Sequence, residues 1–244
     1  MMSSRFLGAF VAALLMTSFG RVASADPLLS PGSVIRLYDS YGSTGGGEFN
    51  GQVVGTSAAI DFISFCLEIN EYFSPGQNLL VKDVSTEARN GGAGGPSPDP
   101  ISYATAYLFT EFALQTLTGY DFGSGAARLA SANSLQRAIW YLEQEIPMGQ
   151  LDAQALAWVN QATAAGWTDV GNVRVLNLLR QDLTGAYTLN AQDQLYLQSV
   201  PEPASLALFG VGLAALAAVR ARARARASRT ESPAAPPSGR NSSL

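Results

Sequence analysis

Cys66 is the one cysteine in a chain of 244 residues that contains no histidine. The missing imidazole removes serine triads built on histidine, cysteine–histidine proteases and zinc sites of the usual composition. The thiol stands in Phe65-Cys66-Leu67-Glu68. With no second cysteine it cannot close an internal disulfide, so it is unpaired, bridged to another molecule, buried as a small hydrophobe, or chemically used. A second motif, Leu135-Gln136-Arg137-Ala138-Ile139-Trp140, brings a side-chain carboxamide. Gln136 also follows Asn133 by three residues, the spacing of a helix-capping box. The carboxylates offer less. Glu143 and Glu145, two apart on a helix, face different directions and read as solvated charges rather than as a glycosidase pair. No ordered loop of alternating carboxylates marks a dedicated calcium site, and neither metal nor cofactor is expected.

The elements that must position these groups change period along the chain. Residues 33–80 read mostly as strands: Val34, Arg36 and Tyr38 alternate with Ile35 and Leu37, residues 49–54 are a second candidate, and residues 59–68 are a strong apolar run. Glycines 42, 45, 46 and 47 mark the turn between the first two. Period-two alternation puts Cys66 on one face with Phe62, Ser64 and Glu68, while Ile63, Phe65 and Leu67 point the other way. Ser64 and Glu68 are thereby candidates to assist proton transfer at the thiol, although Glu68 reads more naturally as an exposed strand-end carboxylate. After Leu79-Leu80-Val81, four glycines and three prolines in residues 90–100 demand an irregular loop. Asp99-Pro100 then reads as a cap with a first-turn proline, and Ile101, Ala104, Leu108 and Phe112 follow at helical spacing. Leu135, Ala138, Ile139, Leu142 and Ile146 make a second apolar stripe that stops at Pro147, with Gln136 near its start. A third helix runs from about residue 152 to residue 165, with Leu151, Ala155, Trp158, Val159 and Ala162 inward and Gly166 at its end. Residues 172–179 and 194–198 return as strands. The expected fold is α+β: a strand-rich sandwich or barrel with a helical insertion.

On these residues the domain resembles the thioester domains of bacterial surface adhesins, also called TQXA domains. Those domains carry an aromatic residue or Leu, then Cys, then an apolar residue, and later an apolar residue followed by Gln and, three positions on, another apolar residue. Phe65-Cys66-Leu67 and Leu135-Gln136 with Ile139 fit both halves; the name-giving Thr is Leu135 here. The resemblance implies that the thiol of Cys66 attacks the carboxamide of Gln136, ammonia leaves, and an internal thioester forms. An amine or hydroxyl on a target then attacks Gln136 and releases the thiol. This is a single event rather than turnover, so no enzyme is expected, and it needs neither histidine nor metal.

The two ends of the chain read as addresses. Arg5, an apolar stretch over residues 6–19 and the small residues Ala23-Ser24-Ala25 form a secretory signal at residues 1–25, with cleavage expected after Ala25. At the other end Pro201-Glu202-Pro203 precedes an uncharged run over residues 204–219, then Arg220, Arg222, Arg224 and Arg226. Sixteen helical residues reach about 24 Å, a thin transmembrane span, and the arginines should hold this end in the cytoplasm. Pro201 and Pro203 keep the chain extended where the helix emerges, which is a form a protease can grip. Residues 200–229 resemble the PEP-CTERM sorting signal. That resemblance implies processing by an exosortase, a membrane protease of Gram-negative bacteria, commonly alongside extracellular polysaccharide production. Residues 230–244 read as a disordered tail.

Between the addresses, residues 26–199 suit one domain. They hold seven Lys or Arg against seventeen Asp or Glu, a charge near −10 that argues against nucleic acid as a partner. The expected protein is exported, passes transiently through the inner membrane, and acts at the cell surface or in the extracellular matrix on a polysaccharide or surface target. Covalent capture through Cys66 and Gln136 is the leading reading. A matrix protein with a buried Cys66 and non-covalent contacts is the alternative, and a hydrolase acting on exported polysaccharide a third.

Overall fold

A computed structural model of the chain describes residues 29–43, 46–199, 210, 212–213 and 215–222. The chain divides after Ser199 into two units. The first begins with β1 (Val34–Asp39), β2 (Phe49–Val53), β3 (Phe62–Ser64), β4 (Leu79–Ser85), β5 (Glu87–Ala88) and β6 (Asp99–Pro100). Helices α1 (Tyr103–Ala113), α2 (Ala126–Leu142) and α3 (Ala153–Ala165) follow, and β7 (Val173–Gln181) and β8 (Tyr187–Leu197) end it. Strands, inserted helices, then strands again make the α+β order that the periodicity predicts.

The strands form one six-stranded antiparallel sheet in the order β3-β2-β1-β4-β7-β8, with β5 and β6 as a separate small pair. The sequence leaves sandwich and barrel open, and neither is found. Among the described residues no second large sheet packs on the first, and no continuous ladder closes the six strands into a barrel. Its edges meet at an isolated bridge between Cys66 and Gln194, flanked by Leu195 N–H to Phe65 O at 2.9 Å and Leu67 N–H to Asp193 O at 3.1 Å.

Two apolar clusters hold the unit together. One draws on all six strands, through Ile35, Leu37, Phe49, Leu79, Leu176 and Tyr196 among others, and includes Cys66. The other joins the three helices to Val173, Val175 and Leu195 and takes in Phe65 and Leu67. Cys66 and its two neighbours thus face opposite clusters, as strand alternation requires. Both clusters lie within residues 29–196, so this unit carries its own core.

Helix α3 has the bounds its signals predict: the Asp152 side chain accepts from Ala155 N–H, and Gly166 ends the helix in the left-handed conformation. The other two helices depart from expectation. Asp99-Pro100 pairs with β5 as a strand, and Ser102 caps α1 instead, because its hydroxyl accepts from Thr105 N–H. Helix α2 starts at Ala126 rather than near Leu135 and stops at Leu142. Gln136 therefore lies inside the helix, and Asn133 is no cap: its Oδ1 accepts from Ser43 N–H at 2.6 Å. In the second unit the described residues between 210 and 222 are helical and exposed. Among the described residues no helix is long and apolar enough to cross a membrane. The proposed secretory signal at residues 1–25 lies outside the described residues.

Candidate functional site

The segment that follows strand β3, helix α2 and the β1–β2 turn converge on one carboxamide. Gln136 projects from the middle of α2 onto the main chain of Cys66: its Nε2 donates to Cys66 O at 2.8 Å, and its Oε1 accepts from Cys66 N–H at 3.2 Å. Gly47 N–H supplies a second donor to the same oxygen at 3.1 Å. Two amide donors on one atom and a carbonyl acceptor opposite the other fix which end of the amide is oxygen. The turn reaches this close because Gly46 and Gly47 lack side chains. A Cβ at Gly46 would lie 2.6 Å from Gln136 Cγ, and Gly47 takes φ +121°, which other residues rarely adopt. Cys66 and Gln136 are 0% and 1% exposed, so the carboxamide meets the cysteine out of water.

The thiol has its own polar shell. Sγ–H donates to Gln192 Oε1 at 2.9 Å, and Gln194 Nε2 donates to Sγ at 3.5 Å. A bulge in β8 makes this possible. Leu176 faces Gln194 and Leu178 faces Ala191, so two residues of β8, Gln192 and Asp193, stand opposite Asn177 alone. The extra residue breaks the alternation, and Gln192 reaches the sulfur while Ala191 stays in the same apolar cluster as Cys66. Burial pushes the Cys66 thiol well above its ordinary range, the charges of Glu68 and Asp39 add to the rise, and the Gln194 hydrogen bond opposes it. Cys66 is therefore a protonated thiol shielded from solvent, and the electrophiles around it are carboxamides.

Ser64 and Glu68 are both at the site, each one step removed. The Ser64 hydroxyl donates to Gln194 Oε1 at 3.0 Å and to Leu195 O at 2.7 Å, so it orients the amide that touches the sulfur. Glu68 accepts from Gln192 Nε2 through its main-chain carbonyl. Its carboxyl is no exposed strand-end group: it is 2% exposed, and Oε2 accepts from Asp193 N–H at 3.0 Å. Burial, reinforced by the Asp193 charge, raises its pKa far above the usual carboxylate range. Asp193 accepts from the N–H groups of Arg89 and Leu178 and from Asn177 Nδ2.

Behind Gly47, the Glu48 carboxylate is clamped by Arg128 of α2, with Nε to Oε1 at 2.8 Å and Nη2 to Oε2 at 2.7 Å. The Tyr120 hydroxyl also donates to Oε1, and Arg128 lies 4.6 Å above the Tyr41 ring. Burial first, and then Glu48 itself, hold the Tyr120 phenol far above its normal range, so it remains a donor. Sequence reasoning passed over Gly47, Glu48, Arg128, Gln192 and Gln194. The one signal is Gln192-Asp193-Gln194, a polar run directly before the apolar Leu195-Tyr196-Leu197.

Glu143 and Glu145 are not solvated charges. Both are buried beyond the end of α2, where they accept main-chain N–H groups: Ser102 for Glu143, and Ile69, Ala93 and Gly94 for Glu145. Among the described residues no group of three or more His, Cys, Asp or Glu could hold a metal. Of the sorting residues, Arg220 and Arg222 lie in the exposed helical segment, while Pro201, Glu202, Pro203, Arg224 and Arg226 lie outside the described residues.

Residues 199–223 match the model of the PEP-CTERM protein-sorting motif. The motif marks an exported protein that an exosortase processes from a membrane-anchored precursor. No curated protein and no solved structure matches the chain. Neither comparison supports the likeness to thioester domains, which rests on the two short sequence motifs alone.

Proposed function

We propose that this exosortase-sorted chain is a surface or matrix protein that attaches itself covalently to its target through an internal thioester between Cys66 and Gln136. The carrying observation is the seat of Gln136: its carboxamide lies on the Cys66 main chain with Oε1 between two N–H donors. That is the arrangement an acyl-transfer site needs, because charge develops on this oxygen when sulfur adds to the adjacent carbon. Cys66 Sγ bonds to Gln136 Cδ, the C–N bond breaks, and the amide nitrogen leaves as ammonia carrying the thiol proton. In the second stage a target amine adds to the same carbon, the C–S bond breaks, and the thiol regains a proton from the amine. A hydroxyl gives an ester by the same route. Each molecule reacts once, so the protein is not an enzyme. Burial protects the activated acyl group from hydrolysis. The target is an amine- or hydroxyl-bearing molecule of the cell surface or extracellular polysaccharide matrix.

Intact-mass measurement of residues 26–199 tests this. The wild-type domain is expected to lack the mass of one ammonia, with the full mass restored in Cys66→Ala and Gln136→Ala. Methylamine should then modify Gln136 and free one thiol. Modification mapped to Gln192 or Gln194 would show the wrong acyl partner, and a full-mass wild type with an intact thiol would end the proposal. A second reading is favoured by the Sγ–Gln192 hydrogen bond, which already satisfies the buried thiol. In that reading the domain is a non-covalent matrix protein, and the full-mass outcome supports it.

A further inference from the structure

We infer that Glu48 is a positioning residue for the thioester reaction, holding Gly47 N–H against Gln136 Oε1 through its clamp to Arg128; this rests on the Cys66–Gln136 reading. Gly47 lends its donor from a stretch where neither it nor Gly46 has a side chain to anchor the peptide between them. Helix α2, which carries Gln136, grips that turn at three places: Asn133 takes Ser43 N–H, Gln136 takes Gly47 N–H, and Arg128 takes the Glu48 carboxylate. Only the last is charged, and its paired hydrogen bonds impose a fixed fork geometry that a single bond does not. Glu48 is next to Gly47, so fixing Glu48 leaves the Gly46–Gly47 peptide little freedom to rotate. The main chain adds to this, with Glu48 N–H on Tyr41 O at 2.6 Å and Ser40 N–H on Glu48 O at 3.1 Å.

A purely structural reason for the clamp is weak. The Glu48 side chain is fully buried, and a buried ion pair commonly contributes no more stability than apolar residues of the same volume. It does specify one geometry. Here that geometry ends on the carbonyl oxygen where negative charge would develop, which gives the charged clamp a chemical use.

The test uses residues 26–199, a unit with its own core, and reads two quantities that stability alone does not move. One is the rate of ammonia loss during thioester formation, followed by mass. The other is the thioester carbonyl stretch, from infrared difference spectra before and after methylamine. Glu48→Gln removes the charge and Tyr120→Phe removes only the third hydrogen bond to Glu48. In Glu48→Gln formation should slow by about tenfold or more, and the carbonyl band should move to higher wavenumber as one donor is lost. Tyr120→Phe should move both in the same direction by less. Arg137→Ala, which removes the exposed pair between Arg137 of α2 and Asp152 at the start of α3, should move neither. An unchanged band and rate in a folded Glu48→Gln overturns the inference. If that variant does not fold, an unchanged band and rate in Tyr120→Phe overturns it alone. A wild type with no ammonia deficit shows instead that the thioester reading has failed, and this is known before any variant is made.

Discussion

At the scale of single residues, the site depends on atoms that are absent. Gly46 packs on the side chains that flank the carboxamide, and a Cβ there would lie 2.6 Å from Gln136 Cγ and 2.7 Å from the Trp140 ring. Neither neighbour can give way cheaply, since Gln136 is held at both ends of its amide and Trp140 packs against the all-strand cluster. Gly46→Ala should therefore push Gln136 off its donors. The expected result is thioester formation slowed by about tenfold or more, with a stability loss of about 1–3 kcal/mol. Mass measured against time and a thermal melt read the two effects separately. Gly149→Ala, where a Cβ would meet nothing within 4 Å, is the silent control. At this scale Cys66 and Gln136 could be picked out because their types are rare or reactive and their neighbours form a pattern. Gly47 could not, since its contribution is a main-chain N–H that every residue except proline possesses.

At the scale of elements, the end of α2 does work that periodicity does not display. The helix stops at Leu142, Gln144 takes φ +63°, and Glu145 turns back into the fold. Its carboxylate gathers Ile69 N–H at 2.8 Å and Ala93 N–H at 2.9 Å, tying the segment after Cys66 to the glycine-rich loop. Glu145→Ala would leave buried donors without acceptors, at a cost of about 2–4 kcal/mol in a denaturant titration. Hydrogen exchange should also quicken at Ile69 and Ala93, while an unchanged titration midpoint would refute the tie. Helix α3 was legible almost to the residue because Asp152, its apolar stripe and Gly166 all act locally. The start of α2 was not: the cap residue, Gly125, makes no side-chain hydrogen bond, so no local cap signal announces Ala126. The β8 bulge was equally hidden, because two residues facing one is a property of a strand and its partner together.

At the scale of the whole domain, the acidic composition acquires a thermodynamic sign. Burial raises the pKa of Glu68, Asp193, Glu71, Asp99 and Glu143. A carboxyl whose folded pKa lies above its unfolded value binds more protons when folded. Its contribution is complete below the unfolded value, near 4, and is lost as pH rises through the folded one. Asp182 acts in the opposite sense and only at the acid end, since hydrogen bonds from Thr184 and Thr188 lower its pKa to about 2. The domain should therefore melt at a higher temperature near about pH 5 than near about pH 8, and Glu68→Gln should flatten that slope. A wild-type melting temperature that climbs steadily between these values would contradict the assignment of buried, protonated acids.

The amino-acid order alone determined the sorting motif, the α+β succession, the absence of histidine chemistry and the two side chains proposed to react. Each is either a contiguous string or a local period, and needs no distant partner to be recognised. Tertiary structure decided that Gln136 sits on the main chain of Cys66, that Gly47 completes a pair of donors, and that the acids thought solvated are buried. Those facts come from strands and a helix far apart in sequence packing within hydrogen-bond reach, where close packing and the need to satisfy every buried polar group select one arrangement.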